Sequence, residues 1–270
     1  TVHGWGHPVF SSKIKRAVFK FLERVCEPFT DKLIVVSSLN ADKGLQDGIG
    51  TPDKYTTIHS CINIDDFSRP QQDISALKAK LGLRPDALVV GTVGRLSPQK
   101  NPADFVRVAA RVKRDIPRAQ FIFVGDGPLR PETEALIRQH NLEKDVLLPG
   151  LSSEVPDLLH CMDLFMLTSL WEGLPRVIPQ AMAAGLPVVA NGVDGVCEVI
   201  KDGTNGFFLR PHDIEGMSQK IIRLLSDPEL YRSVADQGLR TAREEFSVWN
   251  MINQIETVYE HFLAARAPRA

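Results

Sequence analysis

Short apolar runs alternate with helical patterns from residue 73 onward, and this alternation constrains the fold more than any other feature. Most of these runs are apolar without interruption, as in strands whose two faces are both covered. Strands that alternate with helices predict an α/β fold with a doubly wound parallel sheet. Ligands of such sheets bind at the carboxyl ends of the strands, so functional residues are expected there. The predicted strands are Leu88–Val93, Gln120–Val124, Val146–Leu148, Leu164–Leu167, Val188–Ala190 and Gly206–Leu209.

The residues before this region predict a second, smaller Rossmann-like domain. Leu33–Val36 and Lys54–Ile58 have the composition of strands, and Ser37 or Ser38 is predicted to cap a helix between them. A polar linker then places the domain boundary after residue 68. We expect a partial N-terminal domain at 1–68, a complete C-terminal domain at 69–246 and a terminal helix at 247–270. Because Thr1–Gly4 resembles the end of a strand, we also expect that the first part of the N-terminal domain is missing from this chain.

Charge and cysteine content narrow the class of protein. The chain has 32 Lys and Arg against 33 Asp and Glu, so it lacks the overall basic charge expected of a nucleic-acid partner. Its four cysteines are scattered without metal-ligand spacing. They predict buried thiols in a reducing, cytoplasmic compartment, with two disulfides left open as the alternative. No apolar run approaches the length of a membrane span.

The segment from Trp171 to Pro187 carries the most specific signal. Its first residues predict a loop that leads into a helix, with Pro175 in the first helical turn and Gly185 just past the end. A helix N-terminus offers N–H groups and a positive dipole end to an anion. Glu172 is then placed to bind a hydroxyl beside that anion, which is the chemistry of a sugar nucleotide. The alternative is an ordinary strand–loop–helix crossover with a surface Glu.

A second signal follows the strand at Leu88–Val93. Gly94 lets the chain turn without a side chain in the way, and Asn101 is predicted to cap a helix that begins at Pro102. Arg95 and Lys100 therefore bracket a strand end and a helix start. A planar guanidinium and a mobile ammonium facing one crevice suit a phosphate group. The alternative is a pair of solvated surface bases.

These two segments resemble the retaining glycosyltransferases of the GT-B fold, family 4, and the resemblance covers nearly the whole chain. In that family the first Glu of a Glu-x7-Glu pattern binds the donor sugar, the next residues meet the diphosphate, and the second Glu binds the ribose. Glu172 matches the first Glu, and Gly173, Leu174 and Pro175 match the diphosphate segment. The second Glu falls on Gln180, whose amide lacks the charge for two strong hydrogen bonds. This departure leaves donor affinity open.

The resemblance also assigns roles outside the Glu-x7-Glu pattern. It implies that Arg95 and Lys100 clamp the donor diphosphate, and that a His at the end of the first strand, here His3, contacts the donor sugar. A capped strand end or a structural His is the alternative for His3. The candidate catalytic residues are Arg95, Lys100, Glu172 and His3, and the candidate donor-binding residues are Gly94, Gly150, Leu151, Gly173, Leu174, Pro175 and Gln180.

Two glycine-containing segments follow other strands of the predicted sheet. In the family, the loop at Gly150 and Leu151 lies against the nucleotide base, although a simple turn is equally consistent with the sequence. The turn Gly125–Pro128 is also similar to a turn of the family. For this one a plain tight turn is the favoured interpretation.

The implied reaction transfers a sugar from a nucleotide diphosphate to an acceptor hydroxyl, with retention of the anomeric configuration. The acceptor is open: a glycan, a lipid-linked glycan, a polysaccharide or a small molecule. The chain contains no Asp-x-Asp pattern, so no metal cofactor is expected and the two cations would neutralise the leaving group. Three alternatives remain: a nucleotide-sugar binding fragment, a nucleotide-sugar epimerase or hydrolase, and a non-catalytic partner subunit marked by Gln180.

Residues 13–29 form a basic, partly amphipathic segment. A solvated charged face on a domain helix is the favoured interpretation. Contact with anionic lipid headgroups, and so a peripheral location on the cytoplasmic membrane face, is the alternative.

Overall fold

The computed structural model describes residues 1–5 and 12–266 and divides into two compact units, residues 1–61 with 246–270 and residues 62–245. The strands are β1 (Leu33–Val35), β2 (Tyr55–Thr57), β3 (Leu88–Val93), β4 (Ala119–Val124), β5 (Val146–Gly150), β6 (Leu164–Leu167), β7 (Val188–Asn191) and β8 (Phe207–Leu209). The α-helices are α1 (Lys13–Cys26), α2 (Ser38–Gln46), α3 (Ile64–Ser68), α4 (Ile74–Leu81), α5 (Pro102–Asp115), α6 (Arg130–Gln139), α7 (Val155–His160), α8 (Val177–Ala183), α9 (Val196–Val199), α10 (Ile214–Ser226), α11 (Pro228–Glu245) and α12 (Val248–Arg266).

The first unit is built on a small parallel sheet. β1 pairs with β2, and Val2 adds an isolated parallel bridge to Val35. The hydroxyl of Ser37 accepts a hydrogen bond from the Asn40 N–H, so the predicted cap of α2 is present. The aromatic ring of Phe246, which is fully buried, stacks on His59 at a centroid distance of 5.3 Å.

Helix α1 of this unit buries none of its residues. The exposed fractions of Ile14 and Phe21 reach 77% and 64%, so apolar as well as charged positions face outward. Lys20 pairs with the carboxylate of Asp47, and the Arg24 guanidinium donates to the Asp47 carbonyl at 2.7 Å, which fixes the orientation of the helix. Within the described ranges, none of the helices combines the length and the apolar composition that crossing a bilayer requires.

The second unit contains a six-stranded sheet in the order β5-β4-β3-β6-β7-β8, and every neighbouring pair is parallel. The predicted doubly wound parallel sheet is therefore confirmed, with strand limits that differ by at most two residues from those predicted. Counted from β3, this is the 3-2-1-4-5-6 order of dinucleotide-binding folds. The order reverses between β3 and β6, so the loops after these two strands meet at the crevice where such sheets bind ligands.

The core of this unit lies on both faces of the sheet. All six residues of β4 are buried, as expected for a strand covered on both faces. Phe105 of α5 packs edge-on against Phe121 and Phe123 of β4, at centroid distances of 6.3 and 5.2 Å. Burial of each such ring stabilises the fold by about 1.5–3 kcal/mol. This packing holds α5, and with it the loop that precedes α5, against the sheet.

The cysteines depart from the sequence-based prediction. All four thiols are free, and Cys161 alone among them is buried; Cys26 and Cys197 are exposed, and Cys61 is half-buried. Cys26 lies in the last turn of α1, a helix without buried positions. Cys197 lies on α9, which buries Val196 and Val199 instead. The prediction of buried thiols is therefore wrong for these two residues, because scattered spacing carries no information about burial.

Candidate active site

The loops that follow β3 and β6 bring two of the predicted catalytic residues into direct contact. Lys100 Nζ lies 2.5 Å from Glu172 Oε1, and the two side chains are only 17% and 7% exposed. Gly94 leaves a path for the lysine, since a Cβ at this position would lie 3.2 Å from Lys100 Cε. The ion pair therefore sits at the switch point of the sheet, where the fold places its ligand.

Further hydrogen bonds hold these two loops together. The Leu170 N–H donates to the Gln99 carbonyl at 2.8 Å, and the Gln99 side-chain amide donates to the Trp171 carbonyl at 3.0 Å. The Thr168 hydroxyl donates to the Lys100 carbonyl at 2.9 Å. Gln99 and Thr168 were not predicted from the sequence as supporting residues. The only sequence feature that could have indicated them is an uncharged polar side chain directly beside each motif.

The turn before α5 differs in detail from the predicted cap. The helix begins at Pro102 as expected, but Asn101 has a φ of +48° and its side chain makes no capping hydrogen bond. Its amide donates instead to Asp104 at 2.6 Å. Asp104 is 2% exposed and also accepts from Arg107 and contacts His212, at 2.8 and 2.7 Å. The left-handed backbone at Asn101, rather than the extended backbone usual at a cap, explains the wrong prediction.

The loop that carries Glu172 also differs from its predicted structure. Helix α8 begins at Val177, so Pro175 precedes the helix instead of occupying its first turn. The Pro175 carbonyl accepts from the Ile178 N–H, three residues on, in a tight turn. Gly173 and Leu174 are therefore loop residues, and in the described part of the chain their N–H groups have no hydrogen-bond acceptor. Any anion bound here meets loop amides rather than the end of a helix.

The loop after β7 supports the Glu172 loop, and this role was not predicted from the sequence. The Glu172 N–H donates to Asp194 Oδ2 at 2.8 Å, and the Gly195 N–H donates to the Gly173 carbonyl at 3.1 Å. The side-chain amide of Asn191 donates to the Thr168 carbonyl at 2.9 Å. The polar, glycine-containing stretch at the carboxyl end of the predicted strand was the only sequence feature that could have indicated this role.

Arg95 lines a neighbouring cavity of about 480 Å³ beyond the ends of β3 and β4. It is exposed and forms no ion pair with any residue that the structure describes. Gly125 has a φ of +138°, and a Cβ there would lie 1.9 Å from the Gly94 carbonyl oxygen, so the two loops touch through bare backbone. The cavity is lined by Val93, Gly94, Arg95, Val124, Gly125, Asp126, Gly127, Leu151 and Ser152.

The remaining predicted residues are distributed around these features. Gly150 is the last residue of β5, with a φ of +88°, and its carbonyl accepts from the Gly125 N–H at 2.8 Å. Leu151 is 83% exposed at the cavity. Gln180 lies half-buried on α8. His3 is exposed and follows the Val2 bridge in the first unit. No cluster of three or more His, Cys, Asp or Glu side chains suited to a metal occurs within residues 1–5 and 12–266.

Comparison with known proteins identifies the class of enzyme. The family described as Glycosyl transferases group 1 matches residues 73–241. The UDP-Gal:alpha-D-GlcNAc-diphosphoundecaprenol alpha-1,3-galactosyltransferase of Escherichia coli is 32% identical over 264 residues, covering 96% of this chain and 67% of that protein. The N-acetyl-alpha-D-glucosaminyl L-malate synthase of Bacillus anthracis is 27% identical, covering 85% of this chain and 65% of that protein.

A solved structure agrees with these sequence relatives. The crystal structure of Anabaena Alr3699/HepE in complex with UDP-glucose has a TM-score of 0.86 and 27% sequence identity, covering 96% of this chain and 71% of that chain. The chain spans about two thirds of the length of these relatives. It belongs to the glycosyl transferases group 1 family and has the GT-B fold, as the resemblance implied. It is accordingly a glycosyltransferase, of the class that uses nucleotide-sugar donors.

Proposed function

We propose that this glycosyltransferase moves a hexose from a UDP-sugar to an acceptor hydroxyl, retains the anomeric configuration and uses no metal ion. The observation that carries the proposal is the contact of Lys100 with Glu172, beside amides of Gly173 and Leu174 that have no acceptor among the described residues. An ammonium and two N–H groups suit a diphosphate, and a carboxylate suits the hydroxyls of the attached sugar.

Charge stabilisation of the leaving group is the main contribution of the site. As the bond between the anomeric carbon and the phosphate oxygen breaks, negative charge develops on the diphosphate. In this proposal Lys100, Arg95 and the amides of Gly173 and Leu174 neutralise that charge, which is the role of preorganised donors in a transition state. Two protein cations supply the neutralisation that a divalent metal would otherwise supply, which supports the metal-independent reaction.

Positioning of the donor falls to the other residues of the site. Glu172 orients the sugar hydroxyls and is assigned no nucleophilic role. Gln180 accepts from the ribose, and Gly150 with Leu151 lies against the base. The contact of His3 with the donor sugar also stays a prediction from the family resemblance. Two relatives support UDP as the nucleotide of the donor. The name of the Escherichia coli relative includes UDP-Gal, and the Anabaena crystal structure contains UDP-glucose.

The acceptor is proposed to be a lipid-linked glycan. The name of the Escherichia coli relative specifies a diphosphoundecaprenol acceptor. Helix α1 supports a cytoplasmic protein in peripheral contact with the membrane that carries such an acceptor, because it exposes apolar residues such as Ile14 and Phe21 beside basic ones. We also propose that residues 1–68 form part of the acceptor-side domain, residues 69–246 the donor-side domain and residues 247–270 a helix that returns to the first.

A thermal-shift screen followed by a transfer assay tests the proposal. Ligands that bind the native state raise its stability with the logarithm of concentration over Kd, by about 2.7 kcal/mol at 100 times Kd. UDP and UDP-hexoses should therefore raise Tm, whereas GDP- and ADP-sugars should not. The protein should then glycosylate a lipid-linked glycan, and the transferred sugar should have the same anomeric configuration in the product as in the donor.

The same experiment separates the alternatives. Free sugar or an epimer released without acceptor would identify a hydrolase or epimerase, and binding without any turnover would identify a binding subunit. Absence of a shift with every nucleotide sugar would refute the proposal.

A further inference from the structure

Two consecutive residues without an assigned role in glycosyl transfer contact the backbone of the Glu172 loop. The carboxylate of Asp194 accepts the Glu172 N–H at 2.8 Å. The N–H of Gly195 donates to the Gly173 carbonyl at 3.1 Å. Asp194 and Gly195 therefore bind the Glu172 loop through one acceptor and one donor at adjacent positions. These two hydrogen bonds fix the position and orientation of the loop backbone.

The local conformation of these two residues suits this contact. Asp194 has a φ of +44°, in the left-handed region that Asp and Asn enter more readily than other residues with a side chain. Gly195 is buried, and a Cβ at this position would lie 2.2 Å from the Gly173 carbonyl oxygen. A side chain there would push the two loops apart. The contact therefore requires a short hydrogen-bonding residue followed by glycine.

We propose that Asp194 and Gly195 are positioning residues, which orient Glu172 toward the donor sugar and leave the amides of Gly173 and Leu174 for the diphosphate. This inference rests on the function proposed above. The Glu172 N–H donates a charge-assisted hydrogen bond to Asp194 and is not available to the diphosphate. The diphosphate can therefore bind the next two N–H groups along the chain. The anion is thereby placed one residue beyond the carboxylate that holds the sugar.

A matched pair of variants separates the hydrogen bond from the backbone conformation. Asp194→Asn keeps an acceptor oxygen and the tolerance for positive φ, and should retain kcat within about threefold. Asp194→Gly keeps the backbone conformation but loses the acceptor, and should lower kcat by about tenfold through misplacement of Glu172. The Kd for UDP should change by less than about threefold in both, because the cations, the base contacts and the N–H groups of Gly173 and Leu174 remain available to it. Gly195→Ala should resemble Asp194→Gly.

Asn141→Gly is the control, since Asn141 also has positive φ, at +55°, and is exposed in the turn after α6. It should leave kcat and KM unchanged. Wild-type kcat in Asp194→Gly, or equal losses in Asp194→Asn and Asp194→Gly, would overturn the positioning role. A joint fall of Tm, UDP affinity and kcat in Asp194→Gly would also overturn it, by showing a general structural role. Wild-type protein that neither binds UDP nor transfers a hexose would instead refute the proposed function.

Discussion

Lys100 and Glu172 are 72 residues apart in the chain, yet their side chains meet at 2.5 Å where the order of the sheet reverses. Each follows a different parallel strand, β3 and β6, and both are largely shielded from solvent. A shielded ion pair with donor amides beside it is a strong local electrostatic feature.

Loss of either member of this pair should destabilise the fold, because the remaining charge loses its partner in a shielded site. Lys100→Met and Glu172→Gln should each lower the free energy of unfolding, and the double variant should lose less than the sum of the two. We expect a coupling free energy of about 1–3 kcal/mol. Urea denaturation of the four proteins of this double-mutant cycle measures it. If the losses in the free energy of unfolding are simply additive, the contact between the two side chains contributes nothing to stability.

Arg95 should contribute to turnover without contributing to stability, since it is exposed and has no ion-pair partner among the described residues. Arg95→Ala should reduce kcat by about 10²-fold or more, as for loss of a preorganised charge-stabilising group. Steady-state kinetics with saturating donor measure this change. Arg138→Ala, at an exposed position on α6, is the control and should match wild type. Turnover near wild type in Arg95→Ala would exclude the proposed role.

Restoration of the family's second Glu should tighten nucleotide binding if Gln180 contacts the ribose. A carboxylate makes stronger hydrogen bonds to two hydroxyls than an amide oxygen makes to one, so Gln180→Glu should lower the Kd for UDP about fivefold. Isothermal titration calorimetry with UDP tests this directly. Gln139→Glu on the exposed end of α6 serves as the control for an added charge. An unchanged Kd in Gln180→Glu would place the residue away from the ribose.

Asp157 should make stability depend on pH. It is 6% exposed and accepts hydrogen bonds from the Gln71 N–H and the Gln72 side chain, at 2.6 and 2.9 Å. Burial by itself raises the pKa of this carboxyl, but these donors, with His160 nearby, together hold the pKa below its ordinary value of 3.8. The stabilisation is therefore present above the ordinary pKa and is lost as pH falls through the lower, folded-state pKa.

Replacement of this carboxylate should expose that dependence. Asp157→Ala should lower the free energy of unfolding by about 2 kcal/mol at pH 7, with a smaller difference from wild type below about pH 4. Denaturant titrations at several pH values give both numbers, and Asp86→Ala, at an exposed position, is the control. A difference that stays constant down to pH 3 would contradict the assignment of the effect to the ionised carboxylate.

The sequence was sufficient for the strands of the large sheet and for the family, but not for every helix, since the predicted polar linker contains α3. The strand runs, the turns at Gly94 and Gly185 and the motif around Glu172 are local patterns, and local patterns report the backbone conformation that the residues prefer. They predicted the doubly wound parallel sheet and the family membership. They failed where the preference was overridden, as at Asn101, whose left-handed backbone directs its side chain to Asp104 instead of to a helical N–H.

Only the tertiary structure decided which distant residues meet. The contact of Lys100 with Glu172 and the bond from Glu172 to Asp194 depend on strand order and on the path of three separate loops. No periodicity in the chain encodes these, because hydrophobic patterns specify which side of an element is buried but not which loop lies opposite. The sequence by itself determined the sheet and predicted which charged residues lie at its edge. The packing of the sheet and its loops determined which partners these charged residues contact.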